Sequence, residues 1–502
     1  MTQEIGRGVG AFFPELMLVF TIVLLIVMDV FPGKKSAYLG VSLALSGLFL
    51  AFLFTLEQYP MAGMRDGRMG IYFSGMLAVD RFSLFFKLMF VVTAVLTVLL
   101  SITEREIRKQ GESEFLALTL TCVLGMFLFV AANNLLMFYL AIEMVSIPSY
   151  ILSGFYRGNR RSAEASLKYV VYGAAASGMM IYGFSLLYGM AGTLDLGGIR
   201  DALAKGNFDR TAVATTVLLI LAGFGYKIAA VPFHMWCPDI YEGAPTPITA
   251  FLSVGPKAAG FGALIRFFYL AMSEPDPGGT WHAVGATSWP MVLAIISVAT
   301  MTLGNLAALM QTNLKRLMAY SSIAHAGYLL MGCCVLSQEG LTAILFYLAI
   351  YLVMNMGAFL VVVLVAEKTG SEEMSAFRGL GWKNAYVGVS MAFLLFSLVG
   401  LPPTAGFIGK LYLFSALIQQ QWYWLALAGM LNSVVSLFYY AKIIRTMFLE
   451  GAPEEGAPAE TVAFHPGFGL LLGVMAGLIL VFGIYWVPLF DLAQSSASLL
   501  SR

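Results

Sequence analysis

Long apolar stretches alternate with short polar connections along nearly all of the 502 residues of the chain. An α-helix needs about 20 predominantly apolar residues to cross a bilayer, and about fourteen stretches meet that requirement. They are residues 11–31, 37–55, 77–101, 114–132, 134–155, 166–190, 211–234, 247–272, 289–310, 316–336, 340–366, 386–418, 424–448 and 467–490. The pattern predicts an all-α polytopic membrane protein without a sizeable soluble domain.

Two of these stretches contain proline where a straight helix would need a hydrogen-bond donor. The twelfth would be roughly 50 Å long as one helix, and LVGLPPTAGF lies in its middle at residues 398–407. Pro232 lies near the end of the seventh. We therefore predict that both helices are broken, a feature typical of transporters built from repeats. No clear sequence repeat is visible, but two inverted halves, about residues 114–272 and 289–448, are suggested within one membrane domain covering residues 1–502.

Composition supports the membrane class and excludes several others. Hydrophobic residues make up 59% of the chain and charged residues 11%, with a net charge of +1, whereas a soluble domain is about 25% charged. A neutral chain lacks the basic surface that nucleic-acid binding requires. We expect no redox cofactor, nucleotide or metal in this chain, because it has no CxxC pair, no glycine-rich nucleotide motif and no two histidines at i, i+4. The cysteines are expected to be small buried side chains; they are Cys122, Cys237, Cys333 and Cys334.

Lysine and arginine are distributed unequally between the two sets of connections. About 16 lie on the side of the connection that follows the first stretch, against about 7 on the other side. Cytoplasmic connections carry the excess of basic residues. Both termini are therefore predicted to be periplasmic. The first stretch has no basic region before it and no small-residue cleavage site, so we interpret it as a transmembrane helix and not as a signal peptide.

Four ionisable residues lie deep in four different apolar stretches: Glu143, Lys227, Lys257 and Lys410. A charged side chain at the bilayer centre costs roughly 2.5–3.5 kcal/mol on insertion scales, so such residues normally pair with one another or line a wet path. A buried lysine that gains or loses a carboxylate partner changes between holding and releasing its proton. Glu143 near Lys227 would form such a switch, and Lys257 and Lys410 would continue the path. This pattern favours a proton relay.

Other polar residues have competing interpretations. The four deep charges could instead form structural ion pairs that only hold helices together. Lys87 and Arg266 lie nearer the ends of their stretches, where a long side chain is expected to extend to the membrane surface. His234 and His325 are candidates for proton transfer because histidine titrates near pH 6.5. Each could equally be a hydrogen-bonded histidine between packed helices.

Four motifs carry a resemblance that covers nearly the whole chain. They are KIAAVPFHMWCPDIYEGAPTPITAFLSVGPKAAGF (227–261), EMVSIPSYIL (143–152), NLKRLMAYSSIAHAGYLLMG (313–332) and GLPPTAGFIGKLYLF (400–414). They closely resemble subunit N of the proton-pumping NADH-quinone oxidoreductase, respiratory complex I. The resemblance implies fourteen helices with helices seven and twelve broken, and a location in the bacterial inner membrane. It also suggests the large subunits of multisubunit cation/proton antiporters as an alternative.

The resemblance assigns roles to the deep charges. Glu143 and Lys227 look like the paired charges of the input half, Lys257 like the central connecting lysine, and Lys410 like the output lysine toward the periplasm. By the same resemblance, NADH, FMN, iron–sulfur clusters and quinone are bound by other subunits. This chain would lie beside subunit M and small membrane subunits such as K and J.

Overall fold

The computed structural model describes residues 9–30, 38–64, 70–276, 280–284, 288–451 and 465–497. The helices are α1 (Phe13–Val30), α2 (Leu39–Met64), α3 (Arg81–Ser101), α4 (Arg105–Ala131), α5 (Leu135–Ser153), α6 (Arg160–Ala191), α7 (Leu196–Lys205), α8 (Arg210–Ile228), α9 (Trp236–Gly243), α10 (Thr246–Ala271), α11 (Trp289–Leu309), α12 (Leu314–Cys334), α13 (Gln338–Thr369), α14 (Leu380–Lys383), α15 (Ala385–Val399), α16 (Ala405–Gln419), α17 (Tyr423–Phe448), α18 (Pro466–Ile484) and α19 (Val487–Ala497). Two short antiparallel hairpins join β1 (Gly70–Tyr72) to β2 (Leu77–Val79) and β3 (Ser273–Pro275) to β4 (Trp281–Ala283).

Thirteen helices in the described ranges are long and apolar enough to cross a membrane. A bent pair, residues 374–383 and α15, brings the number to fourteen if it is one span, and α16 is a shorter apolar helix of 15 residues. The predicted all-α architecture is confirmed. Some boundaries differ from the prediction. The third span begins at Arg81, because residues 77–79 form a strand, and the sixth begins at Arg160.

The predicted break in segment seven separates α8 from α9. Helix α8 ends at Ile228, and Ala229 follows in a left-handed conformation with φ 58°. The Trp236 indole donates to the Tyr226 carbonyl oxygen over 3.0 Å, and the Val231 amide donates to the Thr300 hydroxyl over 3.0 Å. Irregular backbone persists at membrane depth only where its polar groups find such internal partners.

The predicted break in segment twelve lies between Val399 and Ala405. Gly400 ends α15 in the left-handed region, with φ 90°. The two helix ends pack very closely, because a Cβ on Gly406 would lie 1.9 Å from the Ser397 carbonyl oxygen. Both broken helices are thus confirmed. The division into halves at about residues 114–272 and 289–448 stays a prediction.

Helices α10 and α12, which carry Lys257 and His325, lie in the protein interior. The apolar window of α10 is 100% buried and that of α12 is 94% buried, against 28% for α1 and for α18. Lipid therefore meets the outer helices, while α10 and α12 are surrounded by protein. All four cysteines are buried and free, as expected.

The prediction that Lys87 and Arg266 extend to the membrane surface is wrong. Both side chains are fully buried. Lys87 Nζ lies 2.6 Å from an oxygen of Glu15 on α1, and Arg266 Nη2 lies 2.8 Å from an oxygen of Asp80 before α3. An acidic partner at the same depth stabilises the charge where it stands, so neither side chain has to reach water.

The Glu15–Lys87 pair provides a stability prediction. Lys87→Met alone leaves the Glu15 carboxylate buried without its cation, and we expect it to destabilise the subunit by about 3 kcal/mol. The double variant Glu15→Leu/Lys87→Met removes both charges and should recover most of that loss. The measurement is the midpoint of thermal unfolding of the purified protein in detergent. A double variant no more stable than Lys87→Met would contradict this account.

Candidate functional site

Lys227 and Glu143 lie near each other without forming a direct ion pair. Lys227 is in the last turn of α8, is 1% exposed, and donates to the Ser146 hydroxyl over 2.9 Å. Ser146 follows Glu143 by one turn of α5, and residues three apart share a helix face. The half-buried Glu143 carboxylate accepts a short hydrogen bond from Ser177 on α6. The structure therefore places Glu143 and Lys227 near each other, but each is hydrogen-bonded to a serine hydroxyl and not to the other.

Lys257 lies in the middle of α10 and is 4% exposed. Its ammonium donates to the Ser322 hydroxyl of α12 over 2.6 Å and lies 5.7 Å from the centre of the Tyr241 ring. Ser322 precedes His325 by one turn of the same helix. The structure thus places the central lysine and the predicted histidine on facing helices, about one turn apart along the membrane normal.

His325 connects three helices through both ring nitrogens. Nδ1 is hydrogen-bonded to the Tyr347 hydroxyl of α13 at 2.7 Å, and Nε2 to the Tyr440 hydroxyl of α17 at 3.3 Å. Tyr440 is in turn hydrogen-bonded to Ser321. A histidine held by hydroxyls on both sides can accept a proton on one nitrogen and release one from the other. The geometry is suited to proton transfer as well as to packing.

Lys410 lies beside the break in segment twelve. Its ammonium donates to the carbonyl oxygens of Val399, at 2.7 Å, and Leu398, at 3.2 Å, and to the Ser433 hydroxyl at 3.0 Å. It also lies 4.6 Å from the centre of the Tyr328 ring. The last carbonyls of a helix have no partner within it and carry a partial negative charge. The break therefore creates the binding site for this lysine.

His234 lies in the break of segment seven and is 7% exposed. Its Nδ1 is buried and finds no hydrogen-bond partner in the described structure. The structure gives it no bond to Lys227 or Lys257, so its part in a relay stays a prediction. The hydroxyls that bind the lysines were not predicted from the sequence. The spacing could have indicated one of them, since Ser146 lies three residues after Glu143 and therefore on the same helix face.

A charged cavity of about 280 Å³ opens on the predicted cytoplasmic side. Its charged lining consists of Arg161, Glu164, Lys168, Asp239, Glu242 and Arg316. Asp239 on α9 accepts from Lys168 at 2.7 Å and from Arg316 at 2.8 Å. Cys237, also on α9, lies 3.9 Å from the Ser322 hydroxyl that binds Lys257. Helix α9 therefore contacts both this cavity and the surroundings of Lys257.

A half-buried carboxyl lies between α3 and α4 on the same side. Burial raises the pKa of Glu104, and the hydrogen bond from the Tyr156 hydroxyl, over 3.0 Å, opposes that rise. Lys315 lies near Glu104 and is itself paired with Glu372 at 2.8 Å. Glu104, Lys315 and Glu372 thus add further charged groups on the side of the protein where the charged cavity opens.

Comparison of the sequence with known proteins points to one family. The family described as "NADH:quinone oxidoreductase/Mrp antiporter, TM" matches residues 132–436. The NADH-quinone oxidoreductase subunit N of Anaeromyxobacter sp. (strain Fw109-5) is 46% identical over 516 residues, which cover 99% of this chain and 98% of the relative. The subunit N of Chlorobium chlorochromatii (strain CaD3) is 46% identical over 501 residues, or 98% and 95% of the two chains.

Solved structures share the fold. A chain of respiratory complex I from Thermus thermophilus with bound Aureothin superposes with a TM-score of 0.77 at 31% identity, over 95% of this chain and 98% of that one. A chain of the Mrp complex from Dietzia sp. DQ12-45-1b has a TM-score of 0.83 over 100% and 98% of the two chains. At 21% identity the second match shows the fold alone. The chain belongs to the subunit N family of NADH-quinone oxidoreductase, the antiporter-like, proton-translocating membrane subunits of respiratory complex I.

Proposed function

We propose that protons cross the membrane in this subunit along the series Glu143, Lys227, Lys257 and Lys410, with His325 between the last two. The observation that carries the proposal is the kind of partner that each lysine has. Each of the three binds hydroxyl or carbonyl oxygens. None of them is paired with a carboxylate in the described structure. A neutral hydrogen-bond acceptor allows a lysine to be either charged or neutral.

The two cations paired with carboxylates provide the contrast. Lys87 and Arg266 each bind a carboxylate oxygen within 2.8 Å. A direct carboxylate partner in a buried site keeps a cation charged, so these two pairs suit a structural role. The same chain thus contains buried cations that are fixed by carboxylates and buried lysines that are bound by neutral oxygens, and we assign proton transfer to the second group.

The path has a direction in this proposal. Protons reach Glu143 and Lys227 from the cytoplasmic side, pass to Lys257 and His325, and leave from Lys410 toward the periplasm. The driving reaction, from NADH through FMN and iron–sulfur clusters to quinone, takes place in other subunits. Subunit M and small membrane subunits such as K and J are the proposed neighbours. We also propose periplasmic termini; residues 1–8 and 498–502 lie outside the described residues.

The alternative is a subunit of a multisubunit cation/proton antiporter without a redox partner. The relatives that are 46% identical over nearly the full chain favour the complex I subunit, whereas the likeness to the Mrp complex concerns the fold. Sodium-dependent proton movement in the absence of NADH would favour the antiporter.

Lys227→Ala tests the proposal in membrane vesicles that contain the assembled complex. We expect NADH-driven quinone reduction and proton uptake to fall together by about tenfold, equivalent to ~1.4 kcal/mol in a barrier. The control is Lys205→Ala, which removes an exposed lysine at the end of α7 and should change neither rate. Rates for Lys227→Ala equal to those of the control, with assembly intact, would make Lys227 structural and the proposed path wrong.

A further inference from the structure

A buried polar network lies beside Lys410, between two outer helices. Its centre is Asn305 of α11, whose side chain is 0% exposed, although only 44% of the apolar window of α11 is buried. The neighbouring helix is α17, whose apolar window is 33% buried and which contributes the buried Asn432. Polar side chains in membrane helices are costly and serve either helix packing or function. The partners of Asn305 decide between these two roles.

Both polar atoms of the Asn305 side chain are hydrogen-bonded. Its Nδ2 donates to the Tyr328 hydroxyl over 3.2 Å, and to the carbonyl oxygen and Oδ1 of Asn432 over 3.1 and 3.2 Å. Its Oδ1 accepts from the Tyr439 hydroxyl over 3.1 Å. The opposite orientation of the amide would direct Oδ1 at the Asn432 carbonyl oxygen, which is itself an acceptor. The Asn305 amide is therefore fixed, and it joins α11, α12 and α17.

Two of these partners lead directly to Lys410. The centre of the Tyr328 ring lies 4.6 Å from the ammonium, within the distance at which an aromatic face attracts a cation. Asn432 directly precedes Ser433, whose hydroxyl accepts from the Lys410 ammonium over 3.0 Å. The hydrogen bonds of Asn305 thus hold both the ring of α12 and the turn of α17 that contact this ammonium.

Helix packing alone would not require this arrangement. The two asparagines already join α11 to α17, and Asn432 Nδ2 adds a bond to the Thr302 hydroxyl of α11 over 3.1 Å. The bond to Tyr328 is a further one, and the ring that it holds faces the last cation of the proposed path. The same ring lies 5.8 Å from the ring of His325, so Tyr328 lies close to the last two groups of that path.

We propose that Asn305 is a positioning residue for proton release at Lys410. Through Tyr328 and Ser433 it keeps the lysine side chain at the end of α15, where the proton leaves toward the periplasm. Asn305 itself carries no proton, because its amide does not titrate. Its position matters because proton transfer requires hydrogen-bond distances of about 2.6–3.2 Å. This inference rests on the proposed function, since Lys410 is the last residue of the proposed path.

A map of the assembled complex tests the positioning without a measurement of activity. In a cryo-electron-microscopy structure of Asn305→Leu, we expect the centre of the Tyr328 ring to lie beyond about 6 Å from Lys410 Nζ, the limit of a cation–π contact. Ser297→Ala is the matched control, because Ser297 is buried on the same helix and its hydroxyl joins α11 to α12 through the Gly327 carbonyl oxygen at 2.7 Å. The control should retain the distance of 4.6 Å. A ring that stays in place in Asn305→Leu would overturn the inference.

Rates in membrane vesicles test whether Asn305 acts through Lys410. We expect Asn305→Leu to slow proton uptake and NADH-driven quinone reduction about tenfold in the assembled complex, because the transferring group is misplaced. Ser297→Ala should leave both rates unchanged. In a Lys410→Arg background, Asn305→Leu should cause no further loss, because the effects of residues that share one step are not additive. A loss of the same size in that background would show that Asn305 supports the helices independently of Lys410, and would overturn the inference.

Tyr328→Phe is the second variant, because it keeps the ring and removes only the hydroxyl to which Asn305 donates. We expect both rates to fall about threefold, since the ring loses one hydrogen bond that fixes it. Wild-type rates together with an unmoved ring would show that this bond is not needed, and the inference would fail while the proposed path stands. Wild-type pumping by Lys410→Arg is a different failure, because it removes Lys410 from the proposed path whatever the position of the Tyr328 ring.

Discussion

A complex carrying Lys410→Arg is expected to assemble normally and to pump protons about 100-fold more slowly than the wild type, equivalent to ~2.7 kcal/mol in a barrier. Arginine preserves the positive charge and the donors that meet the Leu398 and Val399 carbonyl oxygens and the Ser433 hydroxyl. It does not release its proton at accessible pH. The substitution therefore separates the two things that Lys410 can do, which are to cap a broken helix and to carry a proton.

Proton uptake and NADH-driven quinone reduction in vesicles measure the loss of proton transfer. The thermal stability of the subunit measures how well the side chain at position 410 still binds the carbonyl oxygens at the end of α15. Lys442→Arg is the control, because Lys442 is exposed near the end of α17 and its hydrogen bond to the Gln311 carbonyl oxygen lies at the surface. Lys410→Ala should lose both activity and stability. Wild-type pumping by Lys410→Arg would mean that Lys410 serves only to satisfy the carbonyls of α15.

The fold could be predicted because each of its main features has a local cause. Apolar runs of bilayer length specify the spans, and proline within a run specifies a break. The sequence also drew attention to Glu143, Lys227, Lys257 and Lys410, since each lies within a long apolar stretch; their role in proton transfer stays a prediction. These properties are contained in short windows of the chain, so neighbouring residues were sufficient to identify them.

Partners that are distant in the chain could not be predicted in the same way. Glu15 lies 72 residues before Lys87, and Asp80 lies 186 residues before Arg266. Nothing near either basic residue in the sequence indicates that an acid faces it at the same depth. Lys87 and Arg266 lie near the ends of their apolar stretches, which suggested that their side chains extend to the membrane surface. Packing of α1 and of the start of α3 against them buries both side chains instead. A similar limit applies to Lys227, whose direct partner is Ser146 and not Glu143.

The largest stability effect is expected at Arg266. Its Nε donates to the Val130 carbonyl oxygen at 2.7 Å, its Nη2 donates to Asp80 at 2.8 Å, and it lies 5.3 Å from the centre of the Phe82 ring. Asp80 also accepts from the Ser83 amide at 2.7 Å and thereby caps α3. One guanidinium thus joins the start of α3, the end of α4 and the end of α10.

Arg266→Ala should destabilise the subunit by about 3–5 kcal/mol, the usual cost of leaving one partner of a buried ion pair. We expect a marked loss of assembled complex in membranes, measured by native electrophoresis against an internal subunit standard. The double variant Arg266→Met/Asp80→Asn should recover much of the yield, because asparagine still caps a helix and carries no charge. The complex that does assemble should pump at the wild-type rate per molecule, since this pair lies outside the proposed path. A low rate per assembled molecule in the double variant would instead connect the Asp80–Arg266 pair to proton transfer, and the division between fixed and exchangeable charges would have to be redrawn.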